Sequence, residues 1–405
     1  MRFDYVARNE RLLSRHPDIQ AIEGPRGLVF LRRDEVLAAA SHADRVADQG
    51  RRWIEAQQAH PSGVVRFRLR SAARVDVLEW TDTLTGSAHK NAVIGPNHVL
   101  LAQPQWHPGP ADDPEPADNP IPPYDVVLPP NAPQVKIAVL DTGIVAHPWF
   151  VSRPWFSSCT QDDYEVLDAN LDFYLDSVAG HGTFIAGVIR QWAPAADLVI
   201  SRVVESDGTT DEFRLIQTLH TLPAVDIISL SLGCYTHDDK PPAVLTHILA
   251  RIPQTTLIVA CAGNTASDRP FWPAATKRVI GVAALNAAGT DRAVFSNYGW
   301  WVDACAVGEN LVSSFVTFDG PRPPHGGRDP DRFVGYARWS GTSFAAPRVA
   351  AAIARRAYEQ AIPIRQAAAQ LLDPTAHRYF PDLGVVVDPP PGIPSAHVGA
   401  VGGSG

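Results

Sequence analysis

The stretch Lys136-Ile-Ala-Val-Leu-Asp141-Thr142-Gly143 places an apolar run directly before a carboxylate and a glycine. A run this apolar predicts a strand that is buried on both faces. Similar runs alternate with helical patterns further along the chain, at 198–204, 227–232, 257–262 and 279–284. The alternation predicts an α/β fold: a doubly wound, mostly parallel sheet with helices on both faces.

Asp141 ends the first of these predicted strands. Catalytic and ligand-binding groups of open parallel sheets collect at the carboxyl ends of the strands, so Asp141 is a candidate functional carboxylate. Aspartate shortly before glycine is also an ordinary turn signal. On this residue alone, both interpretations stay open.

Two more reactive side chains lie beside glycines. His181 stands in Gly-His-Gly-Thr (180–183), where the glycines let backbone and substrate approach the ring, although a lone histidine can equally belong to a core. Ser343 stands in Ser-Gly-Thr-Ser-Phe-Ala-Ala-Pro (340–347) and opens an alanine-rich segment, 344–360, that predicts a buried helix. Ser343 either caps that helix or has negative charge stabilised beside its hydroxyl by the helix amides.

The order Asp141, His181, Ser343, each within its local sequence, resembles the subtilisin-like serine proteases, or subtilases, of peptidase family S8. The resemblance covers residues 135–357. It implies a subtilisin-like fold and a polypeptide substrate. It also implies that Ser343 is the nucleophile, that His181 is its general base and that Asp141 orients the imidazole.

Two further segments carry the same resemblance. The segment 258–264 resembles the strand and turn that deliver the oxyanion-hole asparagine, which implies that Asn264 is that donor. The segment 226–233 resembles the strand that pairs with the substrate backbone. The substrate-binding residues implied are Ser231, Leu232, Gly233, Ala262 and Gly263. Residues 271–274 resemble a pocket wall, although Trp272 can equally be plain core.

The prolines divide the chain. Of the 36 prolines, 11 fall within residues 104–133, a composition that favours extended chain over helix or sheet. We therefore expect a small α/β N-terminal domain (1–105), a Pro/Asp-rich linker (106–133), the subtilisin-like domain (134–378) and a low-complexity C-terminal tail (379–405).

Local patterns predict the elements of the N-terminal domain. We expect a strand at 27–31, a helix capped by Asp34 and running to about Ala59, and strands at 75–80 and 97–102. Residues 64–70 alternate strictly, so Val65, Phe67 and Leu69 should face a core while the intervening arginines face outward.

The position of this domain admits two roles. It is either an inhibitory, propeptide-like domain or a domain that recruits a substrate or a dedicated protein partner. In the first case we expect a regulatory cut within residues 106–134.

Composition excludes several classes. The net charge of −8 argues against nucleic acid or anionic membrane as a partner, and no run of 18 uncharged apolar residues is present. The first 20 residues carry charges throughout and lack the apolar centre of a secretory signal, so a cytoplasmic location is expected.

No cofactor is expected. The four cysteines form no C-x-x-C pair, which makes zinc and a disulfide framework improbable. Calcium is possible at the aspartates that precede His181, but a solvated acidic loop explains them equally, and no recognisable metal site is present. The acidic residues concerned are Asp162, Asp163, Asp168, Asp172 and Asp176.

The sequence as a whole predicts a serine endopeptidase with an acyl-enzyme intermediate, restrained to a processing role inside the cell. Within that class, a protease dedicated to one partner protein is an alternative. The alternative from another class is a non-catalytic subtilase-fold binding module that acts through its N-terminal domain.

Overall fold

The computed structural model describes residues 5–86, 91–102, 113–118, 120, 122–321 and 331–389. Much of the predicted linker, residues 322–330 and the predicted tail from residue 390 lie outside the described residues.

The N-terminal part forms a separate small α/β unit. Its strands pair antiparallel in the order β3-β4-β2-β5, and β1 pairs with β2. Its elements in chain order are α1 (Tyr5–Arg15), β1 (Ile19–Gly24), β2 (Gly27–Ala39), α2 (Ala43–Gly50), β3 (Ile54–His60), β4 (Val64–Leu69), α3 (Val77–Thr85) and β5 (Ile94–Leu101).

The alternation in β4 is confirmed. Val65, Phe67 and Leu69 are buried while Arg68 is exposed, as a half-buried strand requires. Phe67 belongs to a core that this unit builds from its own residues, with Trp80 of α3 opposite.

Two predictions for the N-terminal unit are wrong. The helix expected from Asp34 to about Ala59 is instead the second half of β2, the short α2 and the strand β3. Asp34 adopts a left-handed φ of 60°, and the β2–β5 register shifts between Leu31 and Val36, so a bulge lets the strand continue.

The strand expected at 75–80 is also wrong. Asp76 accepts a hydrogen bond from the backbone N–H of Glu79 (3.1 Å) and thereby caps the start of α3.

The remainder of the described chain forms the larger unit. Its elements in chain order are β6 (Glu115–Pro116), β7 (Lys136–Asp141), α4 (His181–Trp192), β8 (Asp197–Arg202), β9 (Thr209–Asp211), α5 (Glu212–Thr221), β10 (Ile227–Leu230), α6 (Ala243–Leu249), β11 (Leu257–Cys261), β12 (Ile280–Leu285), β13 (Ala304–Val307), β14 (Leu311–Asp319), β15 (Arg332–Trp339), α7 (Thr342–Gln360), α8 (Ile364–Leu371), β16 (Tyr379–Phe380) and β17 (Gly384–Val386).

A central sheet organises this larger unit. The strand order is β16-β17-β13-β12-β11-β10-β7-β8, and every pair except β16–β17 is parallel. All residues of β10, β11 and β13 are buried, so both faces of the sheet are covered. The mostly parallel α/β sheet is therefore as the sequence predicts.

The predicted tail is partly wrong. Residues 379–380 and 384–386 form β16 and β17, and β17 extends the central sheet by pairing parallel with β13. The folded unit therefore continues to about residue 389. The local sequence gives no sign of this because the partner strand lies about 80 residues earlier.

The two strands on either side of residues 322–330 pair with each other. Strands β14 and β15 pair antiparallel, and Phe315 packs on Phe333 with ring centroids 4.7 Å apart. On its outer edge β15 pairs with β6, so this part of the predicted linker is docked on the larger unit.

The two units share a sheet and a core. Strand β5 pairs antiparallel with β9 of the larger unit, and Leu37, Val64 and Leu100 join the hydrophobic cluster of that unit. Among the described residues, no helix is both long and apolar enough to cross a membrane.

The substitution Phe67→Ala should lower the free energy of unfolding by about 3–5 kcal/mol, because the lost ring leaves a cavity in the small core. Urea titration followed by tryptophan fluorescence measures this. Val334→Ala is the matched control, since Val334 is 83% exposed and its truncation should change the value by less than about 0.5 kcal/mol. Equal losses in both variants would contradict the core assignment.

Candidate active site

Asp141 and His181 meet at the carboxyl edge of the central sheet. Asp141 is the last residue of β7 and His181 is the first of α4. The Nδ1 atom of His181 lies 2.7 Å from Oδ1 of Asp141, and both side chains are buried. The carboxylate thus fixes the ring, because Nδ1 must carry the proton that it donates.

Glycines permit this close approach. A Cβ atom on Gly182 would overlap the carbonyl oxygen of Gly143, so the start of α4 and the turn after β7 touch through backbone. Gly143 itself has a φ of 106°, a conformation that favours glycine. The glycines of the two sequence motifs therefore bring the two loops together.

Ser343 lies in the first turn of α7. It is buried, and its Oγ is 3.4 Å from the carbonyl oxygen of Ala102, which follows the last residue of β5. Among the described residues no hydrogen bond joins this hydroxyl to His181. The side chain of Ser343 is instead engaged by a peptide carbonyl of the chain's own N-terminal unit.

A proline in α7, the helix that carries Ser343, leaves a carbonyl of that helix to be bonded by Ser231, which follows β10. Pro347 has no N–H, so the carbonyl of Ser343, four residues earlier, lacks its helical donor. The hydroxyl of Ser231 donates to that carbonyl (2.8 Å). Ser231 therefore stabilises the start of α7, where Ser343 lies.

Asn264 is held through its side-chain oxygen, and among the described residues no hydrogen bond engages its amide N–H groups. Its Oδ1 accepts from the backbone N–H (2.8 Å) and the hydroxyl (2.7 Å) of Thr342. The same hydroxyl accepts from the N–H of Gly263, whose φ is 95°. Because the oxygen is occupied on this side, Nδ2 is left to donate elsewhere. Thr342 was missed by the sequence reasoning although it adjoins Ser343.

Two aromatic rings pack against His181, and a thiol lies beside Ser343. The ring of His181 packs against Trp339 (5.3 Å) and Phe344 (5.2 Å). The thiol of Cys261 lies against the side chains of Thr342 and Ser343, and burial raises its pKa to about 12. The thiol stays protonated near neutrality and does not compete with Ser343 as a nucleophile.

The cleft beside Ser343 is filled by the end of β5. Leu101 exchanges two backbone hydrogen bonds with Gly233, at 2.8 and 3.0 Å, and the N–H of Ala102 donates to the carbonyl of Gly208 (3.0 Å). An extended segment thus lies between Gly233 on one side and residues 208–211 on the other. Sequence reasoning missed Leu101, Ala102 and Gly208 here; the only signal was that the strand ends where the proline-rich stretch begins.

The other residues expected to bind substrate have different surroundings. Leu232 is fully buried in the main core. The carbonyls of Ala262 and Gly263 accept from the side chain and backbone of Asn297. Phe271 lines a small apolar cavity with Gly233 and Cys234, and Trp272 is buried.

The described residues contain no group of three or more His, Cys, Asp or Glu side chains arranged to hold a metal ion. Four of the five aspartates considered for calcium accept hydrogen bonds from the protein. Asp176 accepts from Arg15 (2.8 Å) and from the hydroxyl of Ser206 (2.7 Å), and Asp163 accepts from the backbone N–H of Thr160 (2.8 Å). Asp168 and Asp172 accept from backbone N–H groups of their own loop, at 2.8 and 3.0 Å.

A buried Asp–His pair at a strand end, with a serine at a helix start beside it, is the arrangement of the Asp-His-Ser class of serine hydrolases. The profile of the subtilase family, peptidase S8, matches residues 132–379. The chain belongs to the subtilase family.

Two curated serine proteases are similar in sequence to a little over half of this chain. A thermophilic serine proteinase of Bacillus sp. (strain AK1) is 31% identical over 59% of this chain and 56% of its own length. An intracellular serine protease of Paenibacillus polymyxa is 33% identical over 54% of this chain and 65% of its own length. The chain thus spans less than two thirds of each of these relatives. A solved protease structure from Pseudoalteromonas arctica is 22% identical, with a TM-score of 0.48, over 63% of this chain and 87% of its own.

The hydrogen bond between His181 and Asp141 should give a proton resonance far downfield of the amide region, because the negative carboxylate polarises the Nδ1–H bond and deshields its proton. One-dimensional proton NMR tests this on the full chain. Asp141→Ala should abolish the signal, whereas Ser343→Ala should keep it. A signal that survives Asp141→Ala would contradict the pairing.

Proposed function

We propose that this protein is a serine endopeptidase that hydrolyses polypeptides through an acyl-enzyme intermediate. The observation that carries the proposal is the contact of the Ser343 hydroxyl with a peptide carbonyl, next to a buried Asp141–His181 pair. A serine, a base and a bound peptide carbonyl are the parts that acyl transfer requires.

His181 would supply the base. As the Oγ–C bond forms, the Ser343 proton passes to Nε2, the nitrogen that faces away from Asp141. Nε2 then gives this proton to the leaving amine as the C–N bond breaks. Water, activated by the same nitrogen, releases the acyl group from Ser343. Asp141 keeps the required tautomer and stabilises the imidazolium.

Asn264 would stabilise the tetrahedral oxyanion. Its free Nδ2 group and the backbone N–H of Ser343, at the positive end of α7, are the donors. Since Thr342 fixes the amide before any substrate binds, no reorganisation is needed when the negative charge develops.

We infer the path of a bound substrate from the segment that ends at Ala102, which occupies the cleft in this structure. A substrate would lie as an extended strand that pairs with Gly233 on one side and Gly208 on the other, as Leu101 and Ala102 do. Main-chain pairing gives affinity with little demand on sequence. Phe271, Gly233 and Cys234 form one side of a small apolar cavity whose other side is lined by the N-terminal unit; after that unit has left, this wall would favour an apolar side chain.

A fluorophosphonate probe should label the wild-type chain at the serine and leave Ser343→Ala unlabelled, because only an activated hydroxyl attacks phosphorus. Asn264→Ala should lower kcat by about a hundred- to a thousandfold with little change in KM, the loss known for such a donor in subtilisin, a member of the same family. Peptide hydrolysis and mass spectrometry are the measurements. Absence of label in the folded chain, both intact and freed of residues 1–102, would favour a non-catalytic binding module instead.

We also propose that the N-terminal unit is an inhibitor of the site. It fills the cleft in the manner of a substrate, and charged contacts hold it there. Arg15 bonds Asp176 (2.8 Å), Arg32 bonds Asp211 (2.9 Å), and His98 contacts Glu212 in a buried position. Its docked position supports an inhibitory or folding role over the recruitment of a partner.

One contact at this interface responds to pH. The hydrogen bond from His16 to Asp207 (2.5 Å) raises the pKa of His16 above its usual range. A raised histidine pKa stabilises the docked state at low pH, and that stabilisation is lost as the pH rises through the higher value. His16 is partly exposed, so its contribution is small.

Self-cleavage is expected at the bond after Ala102 or within the next residues, because the Ser343 hydroxyl contacts the carbonyl of Ala102. This is earlier than the 106–134 range that the proline content suggests. Intact-mass measurement of the stored protein identifies the bond. Ser343→Ala should remain uncut, and a fully active but uncut wild-type chain would contradict inhibition by this unit.

The biological role remains a proposal. A protease whose cleft is closed by its own N-terminal unit suits restrained processing of selected polypeptides. A dedicated partner protein and a cytoplasmic location stay predictions from the sequence. Digestion of a peptide library, with Ser343→Ala as the blank, would define the preferred cleavage sequence.

A further inference from the structure

Glu165 is a carboxylate beside the Asp141–His181 pair for which the proposed mechanism has no role. The residue is partly exposed, but its carboxylate is turned inward. One oxygen contacts the hydroxyl of Thr142, and the other lies 3.1 Å from the hydroxyl of Thr183. Thr142 directly follows Asp141, and Thr183 is two residues beyond His181.

The hydroxyls of Thr142 and Thr183 each accept a second hydrogen bond, and these bonds indicate where each hydroxyl proton points. The Thr142 hydroxyl accepts from the N–H of Gly182 (2.9 Å), and the Thr183 hydroxyl accepts from the N–H of Val145 (3.0 Å). Each hydroxyl is therefore free to donate its single proton to Glu165. The carboxylate accepts two donors, one from each of the loops that carry the acid and the base.

The backbone holds Glu165 in place. The N–H of Ile144 donates to the carbonyl of Asp163 (3.0 Å), and the N–H of Glu165 donates to the carbonyl of Ile144 (3.1 Å). The segment 163–165 thus lies against the turn that follows β7. A side chain anchored in this way can hold two loops in register.

Among the described residues, the charged group that acts on Glu165 is Asp141, at the end of β7. His181 lies at the start of α4, and Arg202 on β8 is in register with Asp141. Asp163, on the same segment, turns its carboxylate to Thr160. Burial, with the nearby charge of Asp141, raises the pKa of Glu165 to about 7.

We propose that Glu165 is a positioning residue for the triad: its ionised carboxylate fastens the Asp141 loop to the His181 loop and adds negative charge behind Asp141. That charge favours the imidazolium of His181 and makes the histidine a stronger base. The proposal rests on the proposed peptidase function, because it assigns Glu165 to the same reaction.

The test is Glu165→Gln, which keeps the shape of the side chain and removes its charge. For the hydrolysis of a peptide substrate, kcat should fall about tenfold with KM nearly unchanged, because the loss concerns the transition state. The acidic limb of the kcat/KM profile should move to lower pH, because the variant lacks the anion that Glu165 forms as it ionises around pH 7. Asp162→Asn, a loss of an exposed carboxylate on the same segment, is the matched control and should move neither quantity.

Thr183→Val separates the two effects. It removes the hydrogen bond to Glu165 and the one accepted from the N–H of Val145, but it leaves the charge, so kcat should fall a fewfold while the acidic limb stays in place. An unchanged kcat in Thr183→Val, or an acidic limb of Glu165→Gln that coincides with the wild type, would overturn the proposal.

A readout without catalysis distinguishes failure of this proposal from failure of the peptidase function. In a Ser343→Ala background, NMR titration should show a lower pKa of His181 when Glu165→Gln is added. An identical titration would overturn the role of Glu165. Absence of hydrolysis and of fluorophosphonate labelling in the wild type freed of residues 1–102 would overturn the peptidase function alone.

Stability gives a second independent readout. Because the pKa of Glu165 is raised in the folded state, the wild type should lose stability as the pH rises from about 5 to about 7, where the folded chain holds a proton that the unfolded chain has released. Urea titration of the Ser343→Ala chain should show this slope, and it should flatten when Glu165→Gln is added. An equal slope in both chains would contradict a buried, ionisable Glu165 at this position.

Discussion

Parallel strands buried on both faces must all end at the same edge of the sheet, and the rest of this structure depends on that constraint. Strand β7 ends on Asp141, β10 leads into Ser231 and Gly233, and β11 leads into Asn264. No local interaction could bring these segments together, because they are separated by about 30 to 120 residues. The hydrogen-bonded ladder β11-β10-β7 does so instead.

Two glycines and one proline allow the segments at that edge of the sheet to come into contact. Gly182 and Gly143 let two loops touch through backbone, which puts the imidazole of His181 within hydrogen-bond distance of Asp141. Pro347 leaves the Ser343 carbonyl to be satisfied by Ser231, so the start of α7 is tied to the strand that pairs with extended chain. A backbone carbonyl that lacks a donor within its own helix thus accepts a hydrogen bond from another element, and this bond joins the two elements.

Local patterns were reliable where burial decided the structure and failed where distant pairing decided it. The apolar strands, the alternation in β4 and the alanine-rich α7 follow from the residues alone. In β3, Ala56, Gln57, Gln58 and Ala59 favour helix, but pairing with β4 keeps them extended. Asp34 looks like a helix cap and instead occupies a bulge, because β2 continues between two partner strands. In β17, pairing with β13 orders a segment whose composition suggests a tail.

The sequence by itself determined the family and the chemical candidates: Asp141, His181, Ser343 and Asn264 are each recognisable from their neighbours. It could not place Leu101 and Ala102 in the cleft, because that contact joins residues more than 100 positions apart, across the boundary of two units. Nor could it single out Glu165, which lies in an ordinary acidic stretch. Only the tertiary structure turns its carboxylate toward Thr142 and Thr183, because side-chain direction in a loop is set by what packs against it.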